Sequence, residues 1–261
     1  MKILVFVKQV PDAVNVKIDP QTGNICRDGV ESIMNPYDAN AIETALQIKD
    51  SIGATVCAVS MGPPQAEAVL NHALAMGCDE SYLLSDRAFG GADTLATGYT
   101  LAKAAEKIGD YDLLLVGKCA TDAETAQTGP IIAEFLGLPQ ITLADSLEIK
   151  DGWVYCRRDL GERYEDVKAK LPALVSVTAN INTPRYPTAK GIMSRFKKPR
   201  AIWNAEELGC DTQRTGVAGS PSVNKRIFEP PKRSKDTVYF DGDVSEMARA
   251  FVDALEAERI I

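Results

Sequence analysis

The stretch Asp112–Pro130, DLLLVGKCATDAETAQTGP, decides the fold. Leu113 to Val116 are apolar without a break and read as a strand buried on both faces, as in a parallel sheet. Gly117 ends the run. A loop rich in small and polar residues follows, and then Ile131, Ile132, Phe135 and Leu136 recur at helical spacing before Gly137. The unit is therefore strand–loop–helix. Its loop brings backbone N–H groups and the hydroxyls of Thr121, Thr125 and Thr128 to a helix N-terminus, where the helix dipole favours an anion. That arrangement suits a nucleotide phosphate or pyrophosphate. An ordinary βα connection with good capping residues has the same composition, so the neighbouring loops have to decide between the two.

Working back toward the N-terminus, the same pattern repeats. Lys2–Lys8, KILVFVK, is a continuous apolar strand that runs into the turn Gln9-Val10-Pro11-Asp12. Ile18-Asp19-Pro20 and Thr22-Gly23-Asn24 suggest a β-hairpin excursion. Asn35-Pro36-Tyr37-Asp38 opens a helix with Asp38 as the expected N-cap and Gly53 as its stop. Thr55–Met61 is a second core strand, followed by Gly62-Pro63-Pro64 and a helix from Ala68 to Met76. Ser81–Ser85 is a third strand, followed by Asp86-Arg87-Ala88-Phe89-Gly90-Gly91-Ala92-Asp93-Thr94, in which Asp93 caps the next helix. The order βαβαβαβα with right-handed crossovers places the loops 8–12, 61–64, 85–94 and 117–128 on one edge of a parallel sheet, where ligands of such sheets bind. This convergence favours a nucleotide site over a plain connection.

Beyond residue 140 the character changes. Ile141–Ile149, Trp153–Arg158 and Leu174–Thr178 read as strands of an added antiparallel portion. Asn180 to Ala205 contains no acidic residue but holds Arg185, Lys190, Arg195, Lys197, Lys198 and Arg200, with Tyr186, Met193 and Phe196 interleaved. In a chain of net charge −7 this is a local basic docking surface. Residues 211–243 read as an extended arm, and Val244–Leu255 as a terminal amphipathic helix. The expected organisation is an α/β domain over 1–210, with a Rossmann-like parallel sheet, helices on both faces and a docking loop at 184–200, and an arm over 211–261 that packs on a partner.

Composition narrows the chemistry. The acidic balance argues against nucleic acid as the main partner. No apolar run has the length of a membrane span, and the N-terminal run is too short for a signal-peptide core, so a cytoplasmic location is expected. The six cysteines form no C-x-x-C pair, and Cys57 and Cys156 fall inside strands as core residues. With His72 as the single histidine, neither a His-based triad nor a poly-His metal site is available, and any redox chemistry belongs to a cofactor.

Several stretches together resemble the beta subunit of electron-transfer flavoproteins: VKQVPD at 7–12, MNPYD at 34–38, AVSMGPPQAE at 58–67, ALAMGCDE at 73–80, GKCATDAETAQTGP at 117–130 and KLPALVSVTANINTPRYPTAKGIM at 170–193. The resemblance implies an adenine-nucleotide-binding domain that pairs with a homologous alpha subunit. It implies contacts to the nucleotide from Phe6, Val7, Lys8, Asn35, Asp38, Met61 and Gly62, and from Gly117, Lys118, Cys119, Ala120, Thr121, Asp122, Thr125, Ala126, Gln127 and Thr128. The family has two branches, one whose beta subunit holds AMP as a structural ligand and one whose beta subunit holds FAD. SDRAFGGADTLAT at 85–97 resembles the FAD-containing, electron-bifurcating branch. The flavin is then expected near Phe89, Gly90, Gly91, Asp93, Thr94 and Thr97. NADH would be the donor, and ferredoxin or flavodoxin one acceptor. A flavin dehydrogenase of the acyl-CoA or 2-hydroxyacid type, reached through the alpha-subunit FAD, would be the other. Ala189 stands where AMP-type members place an anchoring Leu, and Leu160-Gly161-Glu162 lacks the usual first acidic residue of that signature; both bear on the partner's identity. Gly90-Gly91-Ala92-Asp93-Thr94 also resembles the S-G-G-x-D-S loop of ATP-pyrophosphatase-type enzymes, but it follows the third strand and opens on Phe89. A nucleotide-sensing stress protein is a further alternative, which would need neither the basic segment nor the arm.

Overall fold

The computed structural model describes residues 1–12, 17–18, 25–26, 32–222 and 237–261. The chain divides into two compact units, Met1–Lys225 and Arg226–Ile261. In the first unit, β1 is Lys2–Phe6, and β2 (Gln9–Pro11) pairs antiparallel with β5 (Ser32–Met34). β3 (Lys17–Ile18) pairs antiparallel with β4 (Ile25–Cys26), in keeping with a hairpin excursion; the proposed turn at 22–24 lies outside the described residues. Then follow α1 (Pro36–Ile52), β6 (Thr55–Met61), α2 (Glu67–Met76), β7 (Glu80–Leu84), α3 (Thr94–Ile108), β8 (Leu113–Gly117) and α4 (Thr128–Leu136). β9 (Gln140–Lys150), β10 (Trp153–Asp159), β11 (Tyr164–Lys170), β12 (Ala173–Val177), α5 (Ala189–Ser194) and β13 (Arg200–Trp203) complete it.

One nine-stranded sheet runs in the order β11-β10-β9-β12-β8-β1-β6-β7-β13. All neighbours from β9 to β13 are parallel, and β10 runs antiparallel to both β9 and β11. The architecture is the expected Rossmann-like α/β sheet with an antiparallel portion. Strand alternation sorts its side chains into two layers. Ile3, Val5, Val56, Ala58, Leu113 and Leu115 pack with Ile42, Leu46, Leu70 and Leu74 of α1 and α2. Leu4, Phe6, Cys57, Val59, Leu114 and Val116 pack with Leu101, Ala105 and Ile132 of α3 and α4. Covering both faces is what a parallel strand of unbroken apolar sequence requires.

Three features differ from the sequence expectation. The strand at 173–177 is not antiparallel: it enters the sheet between β8 and β9, parallel to both, with Val175 opposite Leu115 and Ile141. The antiparallel portion consists of β9 and β10, as expected, with the additional strand β11 in place of 173–177. The basic segment contains a helix and an edge strand, α5 and β13. In addition, Asp38 does not cap α1. Asn35 holds the cap position without a side-chain cap bond, Pro36 opens the helix, and the Asp38 carboxylate points into the sheet edge.

The second unit contains α6 (Val244–Ala257), started by a capping box in which Asp243 and Glu246 exchange hydrogen bonds with each other's backbone. Phe240 meets Phe251 edge to face at 6.1 Å. Among the described residues no helix is long and apolar enough to cross a membrane.

Candidate functional site

The chain leaves β1 in one direction through β6 and β7, and returns on the other side through β8 and β12. The C-terminal ends of β1 and β8 therefore flank the point where the strand order reverses, the place where open α/β sheets form a crevice. The N-terminus of α1 lies across it. The Asp38 carboxylate accepts the N–H of Lys8 at 2.8 Å and that of Gly117 at 3.2 Å, and so buckles the two strand ends together. Gly117 is needed for this approach: a Cβ there would lie 2.7 Å from both the carbonyl carbon and the Cβ of Tyr37. Burial pushes the Asp38 carboxyl up to about 7, against the N–H groups of Lys8 and Gly117, the Asn35 side chain and the Lys8 charge, which favour ionisation.

Asn35 continues the stitching. Its backbone N–H donates to the Lys8 carbonyl at 2.9 Å, and its side-chain amide donates to the Cys119 carbonyl at 2.8 Å. Its side-chain oxygen accepts the Thr121 N–H at 3.2 Å. Lys8 Nζ lies 2.7 Å from the Asp122 carboxylate. Residues 6–8, 35–38 and 117–122, selected from the sequence, are thus joined by direct contacts.

The loop then rises to α4. Glu124 and Ala126 have φ of 51° and 55°, in the left-handed region that side chains seldom enter. Ala126 is followed by Gln127 in the right-handed region, an alternation that turns successive N–H groups toward one concavity suited to anions. α4 starts with no side-chain cap and no acidic residue in its first turn. Its N-terminal amides and dipole are left for solvent or a ligand. Thr94 Oγ1 reaches Gln127 Oε1 at 3.0 Å and links this loop to the one after β7.

The loop at 85–97 is organised more by its own structure. The Phe89 side chain is buried with Leu4, Phe6 and Leu101, and Phe6 itself is a core residue. Asp93 caps α3 through Leu95 and Ala96, at 2.9 and 3.0 Å, and its second oxygen accepts the Ser222 N–H at 3.1 Å. Gly90 and Gly91 are exposed, but a Cβ on Gly91 would meet Val217. Thr97 is half-buried in the first turn of α3. Met61 is half-buried at the end of β6, and the Gly62 N–H donates to the Leu84 carbonyl at 3.0 Å. Sequence reasoning did not single out Gly216 or Ser220, which pack on this loop; a glycine and a serine in a polar run carry no distinctive signal.

Several basic residues of the 180–205 segment turn out to be tethers. Arg185 forms a two-pronged pair with buried Glu43, at 2.8 and 3.0 Å, and reaches Asp50 at 2.9 Å. Lys198 donates to the Leu74 carbonyl at 2.8 Å and also to that of Cys78, and Arg200 pairs with Glu67 at 3.2 Å. Tyr186, Met193 and Phe196 remain exposed at 90%, 71% and 64%.

Residues 22–208 match the electron transfer flavoprotein domain. The chain belongs to the electron transfer flavoprotein family. It is 45% identical over the full length of both chains to the caffeyl-CoA reductase–Etf complex subunit CarD of Acetobacterium woodii. It is 43% identical, again end to end, to the electron transfer flavoprotein subunit beta of Clostridium acetobutylicum. It is 38% identical to protein FixA of Sinorhizobium fredii, over 92% of this chain and 87% of that one. Within the electron transfer flavoprotein family this is a beta-type chain.

Proposed function

We propose that this beta-type chain binds FAD in the crevice between β1 and β8 and, paired with an electron transfer flavoprotein alpha subunit, oxidises NADH. Its electrons would be divided between ferredoxin or flavodoxin and, through the alpha-subunit FAD, a flavin dehydrogenase acting on acyl-CoA or 2-hydroxyacid substrates. The observation that carries the reading is the uncapped N-terminus of α4 beside the Asp38 buckle, in a chain that aligns end to end with a subunit of a CoA reductase–Etf complex.

The residues present fit the adenosine diphosphate part of the group. Asn35 and Asp38 hold the floor of the crevice in place. The left-handed turn at Ala126 and the first turn of α4 supply N–H groups for the diphosphate, and Thr121, Thr125 and Thr128 add hydroxyls. Exposed Gly91 and the Thr97 hydroxyl would offer donors for the ring end; the Gly90 N–H already donates to the Arg87 carbonyl and the Thr94 hydroxyl to Gln127 Oε1, so these two would have to exchange partners to reach it. When bound, the flavin accepts hydride from NADH and releases electrons singly, so no acid or base from this chain is required. The role of the chain is to orient the group and keep it in place.

A second reading, AMP as a structural ligand, draws support from the loop after β7. The N–H groups of Ala88, Gly90 and Asp93 already donate within the protein, which leaves fewer free donors beyond the adenosine. Extraction of nucleotides from the purified heterodimer separates the two. FAD in excess of one per heterodimer, with no AMP, is expected; one FAD with one AMP would overturn the bifurcating reading.

A further inference from the structure

The chain that follows β12 clamps α1 a short way beyond Asp38. Asn40, buried at 5% exposure, donates its side-chain amide to the Asn182 carbonyl at 2.8 Å and to the Asn182 side-chain oxygen at 3.1 Å. Asn182 returns the exchange. Its amide donates to the Asn40 carbonyl at 3.1 Å and to the hydroxyl of buried Thr44 at 2.9 Å. The clamp is itself anchored on the sheet, where the Thr178 N–H donates to the Ala144 carbonyl at 2.9 Å. Further along α1 the Arg185 N–H and guanidinium close on Glu43.

Directional contacts are needed here. α1 meets the strands through Ala41, Ile42, Ala45 and Leu46. Apolar contacts of this kind have no direction, and two alanines offer little relief, so they leave open how far the helix is turned about its axis. Asp38 and Asn35 are sensitive to that turn, because Asp38 must reach the N–H groups of Lys8 and Gly117 at once and Asn35 those of residues 119–121. A turn of α1 by about 10° carries a side-chain tip about 1 Å, since such tips stand about 5–6 Å from the helix axis. That breaks the bond to Gly117, which is already 3.2 Å long.

We infer that Asn182 is a positioning residue for the crevice: by exchanging hydrogen bonds with Asn40 it fixes the rotation of α1, and so the places of Asn35 and Asp38. That a nucleotide rests on this floor is taken from the proposed function; the clamp itself stands on the hydrogen bonds. Asp38 supplies a probe of position. The charge that acts on it is that of Lys8, whose ammonium is held by Asp122, and Cys119 is the other titratable group beside it. Asn182 is uncharged, so its replacement by alanine reaches the Asp38 titration only through position.

The test follows the Asp38 carboxyl by carbon-13 NMR in the full-length chain as pH is raised, with Asp38→Asn to assign the signal. Asn182→Ala should lower the midpoint by about one pH unit, about tenfold in proton affinity, as the carboxyl leaves its buried place for water. Arg185→Ala loosens the same segment without touching the Asn40 pair and should not lower it. An unchanged midpoint in Asn182→Ala, or an equal fall in Arg185→Ala, would make Asn182 merely structural and overturn the inference. Should Asn182→Ala fail to fold, Asn182→Ser removes the same amide donors and is scored by the same criteria. AMP is then titrated into the apo heterodimer, where Asn182→Ala should weaken binding about tenfold. A lowered midpoint with AMP affinity unchanged would detach Asn182 from the crevice and also overturn the inference. A wild type that binds no adenine nucleotide would refute the proposed function and leave the midpoint to decide the positioning role.

Discussion

Asp38 sets a pH dependence with a definite sign. Its carboxyl is held near 7 in the fold and would titrate near 3.9 in the unfolded chain, so between those values the folded state binds more protons. Stability must then fall as pH rises through this window, by about 1.4 kcal/mol per pH unit and about 4 kcal/mol in all. The perturbation that isolates it is Asp38→Asn. The amide oxygen can accept one of the two N–H groups, from Lys8 or Gly117, and the other is left facing an amide N–H, at a pH-independent cost of about 1–3 kcal/mol. The variant should therefore start below the wild type at pH 5 and lose the titration. Urea unfolding of both chains from pH 5 to pH 8 measures the difference. The wild type should lose ground to Asp38→Asn across pH 5 to 7, and the two should run parallel above it. A constant offset, or a wild type that gains on the variant with rising pH, would refute the reasoning, because it would mean that the two N–H donors outweigh burial and favour the carboxylate.

Three other outcomes follow from the same contacts. Gly117→Ala should cost about 3 kcal/mol of unfolding free energy and weaken nucleotide retention, since its Cβ must push α1 off the end of β8; a loss under about 0.5 kcal/mol would contradict the close approach. Arg185→Ala leaves the buried Glu43 carboxylate without its partner and should cost about 2–4 kcal/mol by denaturation, with Arg185→Lys restoring less than half because a lysine cannot make the two-pronged pair. Tyr186→Ala with Phe196→Ala should raise the KM for the partner dehydrogenase about tenfold with flavin content unchanged, and equal KM values would remove this face from docking.

The central strands and the sheet edge were legible because their residues are self-sufficient signals. Unbroken apolar runs at 3–7, 56–59 and 113–116 can only be buried on both faces, and Asp93 before an apolar helix reads as the cap it is. The strand at 173–177 was recognised but expected in the antiparallel portion. Its sequence, ALVSV, suits either direction, and only its place between β8 and β9 makes it parallel. β11 was not seen because an edge strand with sequence YEDVKAK alternates charges toward solvent. The basic segment read as a docking surface because the acids that neutralise it, Glu43, Asp50 and Glu67, lie on α1 and α2, more than a hundred residues away in the chain. Asp38 could not be told from an N-cap in Asn-Pro-Tyr-Asp, since both positions suit an acid and the decisive acceptor role depends on two strand ends that local sequence does not join.

The two halves of the site differ in how firmly the fold determines them, and this bears on which nucleotide is held. The part proposed to hold the adenosine is fixed by contacts that span the sheet: Asp38 to both central strands, Asn35 to the 117–122 loop, and Lys8 to Asp122. None of these depends on what lies beyond the adenosine phosphate, so on the proposed reading the same floor would serve AMP or FAD. The part proposed to face the ring is a loop whose own donors are largely engaged and whose position is set from 215–222 by contacts at Asp93, Gly91 and Gly90. Discrimination between the two ligands is therefore expected of residues 87–97 and their fastening rather than of the phosphate loop. Substitutions in the 117–128 loop should reduce both nucleotides together, whereas Thr94→Ala with Thr97→Ala should reduce FAD alone. Titration of the apo heterodimer with each nucleotide measures this, and parallel losses of FAD and AMP in the double variant would show that the phosphate loop alone sets the choice.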